Sequence, residues 1–527
     1  MIKKKKMIAK GSLVFLLPPV LLAIFPILSF FLNNSQELSL KFIGRPLFYS
    51  IVVAILSTLV LFFLVKNRAK ASVIISLFVF VFFSYGHLSR ALNSKLFILL
   101  PSGMVLGPDK VLLPIIFGLV TFLVFKILRS KKSFFKVVSF LAISLIVLVG
   151  YLSIAIVGGE SRKAKNEGVK KESQAQPVES GKDSPDIYYI ILDGYARGDV
   201  LQEIYDYDNS RFIDSLQTMG FYVASKARSN YIHTYLSLPS TLNMRYLDDL
   251  PEKYGENPAS GIAARKLVEE NEVARKLKGY GYTTINFASS WEGTDENYQA
   301  DINYKKDGYF KILGKNLSLD ESEITFLQTT LFSPLIKEVW GDVLRERTLS
   351  TLQKLPTIPF EEGKKFVTAH IMAPHPPYVF NADGSPVLTA ELEMADKGVE
   401  QRPKYLAQLE FISNQMLSVL EKMIKNSKDA PIIVLQSDHG PASIFGNPES
   451  WSEDYSKEGL KERSSILYAV YFPNKDYQDF YQTITPVNTF RIVFDKYFGE
   501  DLEPVPDKTL YTSYEAIYGF KDVTEIK

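Results

Sequence analysis

Cysteine is absent from all 527 residues. That absence excludes disulfides, thiolate nucleophiles and thiolate metal sites together. Histidine is scarce, with five in the chain, so any metal has to sit on Asp, Glu, His or hydroxyl oxygen. The net formal charge is only +2, which leaves no global electrostatic footprint for nucleic acid. Internal repeats and long low-complexity segments are also lacking. What the chain does have is asymmetry: its first part is densely apolar and the rest is ordinary mixed sequence.

The opening "MIKKKKMIAK" leads into "GSLVFLLPPVLLAIFPILSFFL". This run is too long for the core of a signal peptide, no small-residue cleavage site follows, and more apolar runs come after it. It reads as a membrane anchor. Runs at 47–65, 71–88, 111–128 and 134–157 are each near the ~20 residues needed to cross the hydrocarbon core, so five spans are predicted. Lys3, Lys4, Lys5, Lys6 and Lys10 precede the first span. Lys66, Arg68 and Lys70 lie between the second and third, and Arg129, Lys131 and Lys132 between the fourth and fifth. The alternate connections are poorer, with Lys41 and Arg45, then Arg90, Lys95 and Lys110. The basic connections belong in the cytoplasm, and an odd number of spans then puts everything after Val157 outside. His87 and Arg90, near the outer end of a span, read as head-group contacts. The expected product is a multi-pass plasma-membrane protein with an extracytoplasmic C-terminal domain.

Residues 158–184 are charged and polar without an apolar period and read as a flexible or partly helical tether. The expected division is therefore a transmembrane region at 1–157, a tether at 158–184 and a globular domain at 185–527, long enough to bury a sizeable core. In that domain short β-rich runs, at 187–192, 283–288, 366–372, 432–437 and 466–472, alternate with helical patterns. The alternation predicts an α/β domain with a mainly parallel sheet. Ligands in such sheets bind beyond the carboxyl ends of the strands.

Asp193 follows the first strand, His370 and His375 belong to the third, and Asp438 and His439 follow the fourth. Gly194 and Gly440 permit sharp turns there. Asp, Asp and His make a hard-to-borderline donor set suited to zinc or manganese. Each residue also has a bland reading: Asp193 as a helix cap, His370 as a satisfied core histidine. The segment "SNYIHTYLSLPSTLNMRYL", 229–247, offers hydroxyls at Thr234, Ser237, Ser240 and Thr241. If a helix starts at Thr234, a metal and the helix dipole would both acidify that hydroxyl. The alternative is a plain threonine N-cap.

With these residues in view, the domain resembles the alkaline phosphatase superfamily, in the branch of phosphoethanolamine transferases and lipoteichoic acid synthases. Those enzymes carry a nucleophilic Thr in Thr-x-x-Ser-Val-Pro; this chain has Thr234, Ser237 and Pro239. They carry a histidine pair before Gly-Pro-x-Tyr; here His370 and His375 precede Pro376-Pro377-Tyr378. They end a strand with Ser-Asp-His-Gly, as Ser437 to Gly440 do. Asp193 stands where the transferases have a Glu. The resemblance covers roughly 185–500 and implies an α/β/α catalytic domain behind five membrane helices. It further implies a metal held by Asp193, Thr234, Asp438 and His439, with His375 and His370 on the substrate. The transferases also have a later histidine; this chain has none, so one tightly held metal is implied. The implied reaction moves a phospho-alcohol group from a membrane lipid donor to an envelope glycan or lipid acceptor through a phospho-threonine.

Two rivals stay open. "SLPST", Ser237 to Thr241, resembles the start of the sulfatase formylglycine motif, which would make Ser237 the nucleophile of a sulfatase or phosphodiester hydrolase. A membrane-anchored binding or sensor protein that kept the fold and lost activity is the other. The insert around 293–350 has amphipathic character and is expected to cover the sheet rather than lie against the membrane.

Overall fold

The computed structural model describes residues 14–34, 38, 40–92, 98–99, 105–106, 108–166, 184–257, 261–289, 291–295, 297–305, 310–312, 315–317, 321–387, 398–446, 455–513 and 516–525. The chain divides into two compact units: Met1–Lys171 with Ser322–Lys337, and Glu172–Glu321 with Glu338–Lys527. The lysines before the first span, and 167–183 of the expected tether, lie outside the described residues.

The first unit contains apolar helices α1 (Leu17–Asn33), α2 (Lys41–Val65), α3 (Arg68–Leu92), α4 (Pro108–Arg129) and α5 (Phe135–Asn166). In hydrocarbon every backbone group must be satisfied within the segment, which an α-helix does by itself. Four of these helices, α2 to α5, are long and apolar enough to cross a membrane. Helix α1 has 17 residues, about 26 Å of rise, and so is shorter than the other four. Helix α5 runs on to Asn166, so the start of the expected tether is helical.

The second unit is built on a seven-stranded sheet. Its strands are β1 (Ile187–Leu192), β2 (Tyr222–Val223), β3 (Thr283–Phe287), β4 (Ile302–Tyr304), β5 (Lys365–Ile371), β6 (Ile432–Gln436) and β7 (Tyr468–Tyr471). The spatial order is β2-β7-β6-β1-β5-β3-β4. β6, β1, β5, β3 and β4 run parallel; β7 pairs antiparallel with β6, and β2 antiparallel with β7. All five expected strands form. The two short outer strands, β2 and β4, were not anticipated, because two or three residues carry no readable period.

Strand β1 is buried along its whole length, as expected of a central strand covered on both faces. Tyr188, Ile190 and Leu192 face one core, with Leu409, Ile412 and Met416 of helix α7 (Arg402–Asn426). Ile187, Tyr189 and Ile191 face the other, with Phe490, Val493 and Phe494 of helix α8 (Thr489–Phe498). A further helix, α6 (Thr234–Asn243), belongs to the site.

The insert splits. Ile302 and Tyr304 pack against the core of the sheet, as expected of the insert. Phe326 instead joins the core of the membrane helices, and 322–337 groups with the first unit, so this part of the insert does not cover the sheet. The physical reason is that no charged residue lies between Glu323 and Lys337, so the segment can leave water without stranding a charge.

Candidate functional site

Register creates the site. In the parallel trio β6-β1-β5, Ile191 is the partner of both Gln436 and His370. The residues just past β1 and β6 therefore emerge beside the last residues of β5. Asp193, Asp438, His370 and His439 are all buried there, and His375 follows on the loop after β5.

Asp193 Oδ2 lies 3.2 Å from His370 Nε2, and Asp193 Oδ1 lies 3.6 Å from His439 Nε2. Thr234 Oγ1 donates to Asp438 Oδ2 at 2.7 Å and lies 3.0 Å from His439 Nε2. Asp438 Oδ1 accepts from the Gly194 amide at 3.3 Å. His439 Nδ1 is 3.0 Å from the Gly440 carbonyl. A carbonyl only accepts, so Nδ1 carries the proton and Nε2 keeps its lone pair on the Thr234 side. Burial, then the Arg463 charge, push the His439 imidazole well below its ordinary range, which keeps it neutral.

The two carboxylates are shifted in opposite directions. Burial and then the charge of Asp193 push Asp438 up to about 6. Burial also opposes ionisation of Asp193, but the imidazoles of His375, His370 and His439 more than offset it and hold this carboxyl well below the usual range. Two buried carboxylates this close cannot both ionise freely without a cation.

Asp193, His375 and His439, and again Asp193, His370 and Asp438, bring ligand atoms within 4.8 Å of one another. Asp193 Oδ1 is buried and accepts no hydrogen bond. A lone pair left unmatched in the interior is costly. The donor set therefore fits a divalent metal. His370 and His375, expected on the substrate, lie within the same ligand groups.

The alternatives narrow on geometry. Thr234 is not an N-cap: His233 holds that position and Thr234 is the first helical residue of α6. Ser237, also on α6, donates to the Asp438 carbonyl at 2.8 Å and is buried. His370 is buried with both ring nitrogens bonded, Nδ1 to Thr294 Oγ1 at 2.8 Å and Nε2 to Asp193. His375 Nδ1 lies 2.6 Å from the Pro376 carbonyl, and Gln408 of α7 donates to the His375 carbonyl at 3.0 Å. Gly194 has φ +72°, the turn expected of it. Gly440 serves a different need: a Cβ there would lie 2.0 Å from the Glu462 carbonyl oxygen.

Sequence reasoning missed three supporting residues. Arg463 donates to the Ile232 carbonyl through Nε and to the Gly440 carbonyl through Nη1, each at 2.8 Å. It thereby joins the loop before Thr234 to the loop after His439. Nothing local marks it in the sequence. Thr294 orients His370, as above. His233 lies 3.1 Å from the Thr512 carbonyl; burial, then the Arg463 charge, lower it to about 3. Its place beside Thr234, in a chain poor in histidine, was a usable signal.

A family model described as Sulfatase matches residues 185–479, more than half of the chain. No curated protein sequence is significantly similar. Among solved structures, the C-terminal periplasmic domain of EcEptC from Escherichia coli is 13% identical, over 67% of this chain and 97% of that chain, with TM-score 0.42. The integral membrane protein lipooligosaccharide phosphoethanolamine transferase A (EptA) from Neisseria meningitidis is 11% identical, over 92% of this chain and 94% of that chain, with TM-score 0.42. The 2-O GAG sulfatase BT1596 is 13% identical, over 65% of this chain and 76% of that chain, with TM-score 0.37.

Proposed function

The chain belongs to the sulfatase family, and we propose that it is a membrane-anchored, metal-dependent phosphotransferase acting through Thr234. One observation carries the reading: a threonine hydroxyl at the N-terminus of a helix, bonded to Asp438 and 3.0 Å from a neutral His439. A threonine spent on two ligand-type side chains instead of on its own helix is placed for chemistry. The distribution of Lys and Arg between the apolar helices supports an extracytoplasmic position for this domain.

Asp193, Thr234, Asp438 and His439 would hold the metal, zinc or manganese. When bound, the ion lowers the pKa of the hydroxyl and offsets phosphoryl charge. The chain's own groups do the rest. Thr234 gives up its hydroxyl proton to solvent before substrate binds, vacating its hydrogen bond to Asp438 Oδ2, and the partial positive charge at the helix N-terminus favours the resulting alkoxide. Thr234 Oγ1 then bonds to the phosphorus of a lipid phosphodiester, and the bond from phosphorus to the lipid alcohol breaks. His375 gives the leaving oxygen its proton, and His370 positions Asp193. An acceptor hydroxyl on an envelope glycan or lipid takes the group from Thr234, returning its proton to His375.

The test is mass spectrometry of the protein purified from its native membrane, with turnover measured in parallel. We expect a phospho-alcohol adduct on Thr234. Thr234→Ala should lose both adduct and turnover, by about 10³-fold or more. An adduct on Ser237, or normal turnover by Thr234→Ala, would replace this reading with the sulfatase-type one.

A further inference from the structure

The 322–337 segment sits within the family-matched stretch of sequence, yet its contacts are with the membrane helices. Phe326 is buried in a cluster with Ile27 and Phe31 of α1, Phe42 of α2, Phe83 of α3 and Ile156 of α5. Its ring lies 5.3 Å from Phe30, 5.9 Å from Phe42 and 6.0 Å from Phe83. The turn that follows is bonded to the backbone of α3. Gly86 N–H donates to the Thr329 carbonyl at 3.0 Å, and Leu331 N–H donates to the Phe82 carbonyl at 2.7 Å. A Cβ on Gly86 would lie 2.0 Å from the Gln328 carbonyl oxygen, so only glycine admits this approach.

These facts belong together in hydrocarbon. Non-helical backbone at membrane depth is tolerated only where protein satisfies it, and α3 does that at Thr329 and Leu331. The apolar stretch 324–336 is too short to span a bilayer, so a segment entering there must return. Its outward side is apolar: Leu331 is 38% exposed, Phe332 48% and Leu335 54%. Phe332 also packs on Phe82 at 5.2 Å, which makes this patch continuous with the apolar surface of α3, where Phe78 and Phe80 are exposed too.

We propose that residues 322–337 are a re-entrant membrane element, docked on α3 through Gly86, whose Leu331, Phe332 and Leu335 contact lipid acyl chains. Sulfatase-family sequence flanks the element on both sides.

The absence of native cysteine makes single-cysteine labelling of the full chain free of background. Phe332→Cys and Leu335→Cys variants would carry a bimane fluorophore in phosphatidylcholine proteoliposomes. Asp214→Cys, at an exposed position of the sheet unit, is the aqueous control. We expect nitroxide-labelled phospholipids to quench both segment probes while aqueous iodide quenches only the control. Iodide quenching of the segment probes equal to that of the control would overturn the proposal. Adding Gly86→Val should abolish lipid quenching; retention of full quenching would overturn the docking role of Gly86. In case Gly86→Val fails to fold, a Phe30→Cys/Phe326→Cys pair tests the docking independently with a short bismaleimide. An intramolecular cross-link is expected, and none in folded protein would refute the docked arrangement.

Discussion

At the sheet edge, two carboxylates lie buried among histidines and are positioned by hydrogen bonds to neighbouring strand ends. In the 322–337 segment there is no charge between Glu323 and Lys337, and the backbone of Thr329 reaches α3 because Gly86 has no side chain. Both places join parts of the chain that are distant in sequence. The first is assembled by polar groups that would be costly to leave unmatched. The second is assembled by shape and by exclusion from water. Gly440 belongs to both logics: it follows a metal-type ligand, and it is small because the Glu462 carbonyl needs the space.

The comparison is broken most severely by removing charge. Asp438→Asn keeps size and removes the anion, so metal affinity should fall by more than the ~10–100-fold that an outer-shell change costs, with the fold retained. Elemental analysis after dialysis, alongside circular dichroism, measures both; unchanged metal content would remove Asp438 from the ligand set.

Proton competition comes next. The metal-free Asp438 carboxyl is pushed up to about 6, above its ordinary 3.8. Its contribution to the stability of the metal-free fold is therefore fully present below about 3.8 and lost as pH rises through about 6. A metal has to displace that proton, so apparent affinity should fall about tenfold per unit below pH about 6 and level off above it. Asp193, held well below the usual range, does not add to that slope. Titration calorimetry at several pH values reads the slope, and a flat profile between 4 and 6 would contradict the assignment.

Shape is tested by Gly440→Ala, where the added methyl group meets the Glu462 carbonyl. Displacing that backbone should cost about 1–3 kcal/mol in a thermal melt of the metal-loaded protein. The mildest expected change is Ser237→Ala. It removes one buried hydrogen bond to the Asp438 carbonyl, worth about 1 kcal/mol, and should leave turnover within about tenfold. A loss matching that of Thr234→Ala would shift the nucleophile to Ser237.

Much of the sheet edge was legible because its ingredients are chemically marked. Apolar β-rich runs ending on Asp193 and on Asp438-His439 announce strands that deliver metal-type side chains, and scarcity made the histidines conspicuous. Residue type alone left Thr234 as one of several hydroxyls, and only the resemblance to the transferases singled it out. Both residues, Thr234 and Ser237, meet Asp438 from one face of α6, Thr234 at its carboxylate and Ser237 at its carbonyl, and residues three apart on a helix cannot be told apart by spacing. Arg463 was not legible at all, since its role is to bond two carbonyls that lie far from it in sequence.

The sequence by itself determined the apolar helices, the family-matched α/β domain and the donor chemistry, because hydrophobic period and titratable residue type are local properties. Only the tertiary structure decided that Ile191 pairs with both His370 and Gln436, which sets the Asp and His side chains side by side. It likewise decided that 322–337 leaves the sheet for the membrane helices. Both outcomes depend on register and on close backbone contact, and neither quantity exists until distant segments of the chain have packed together.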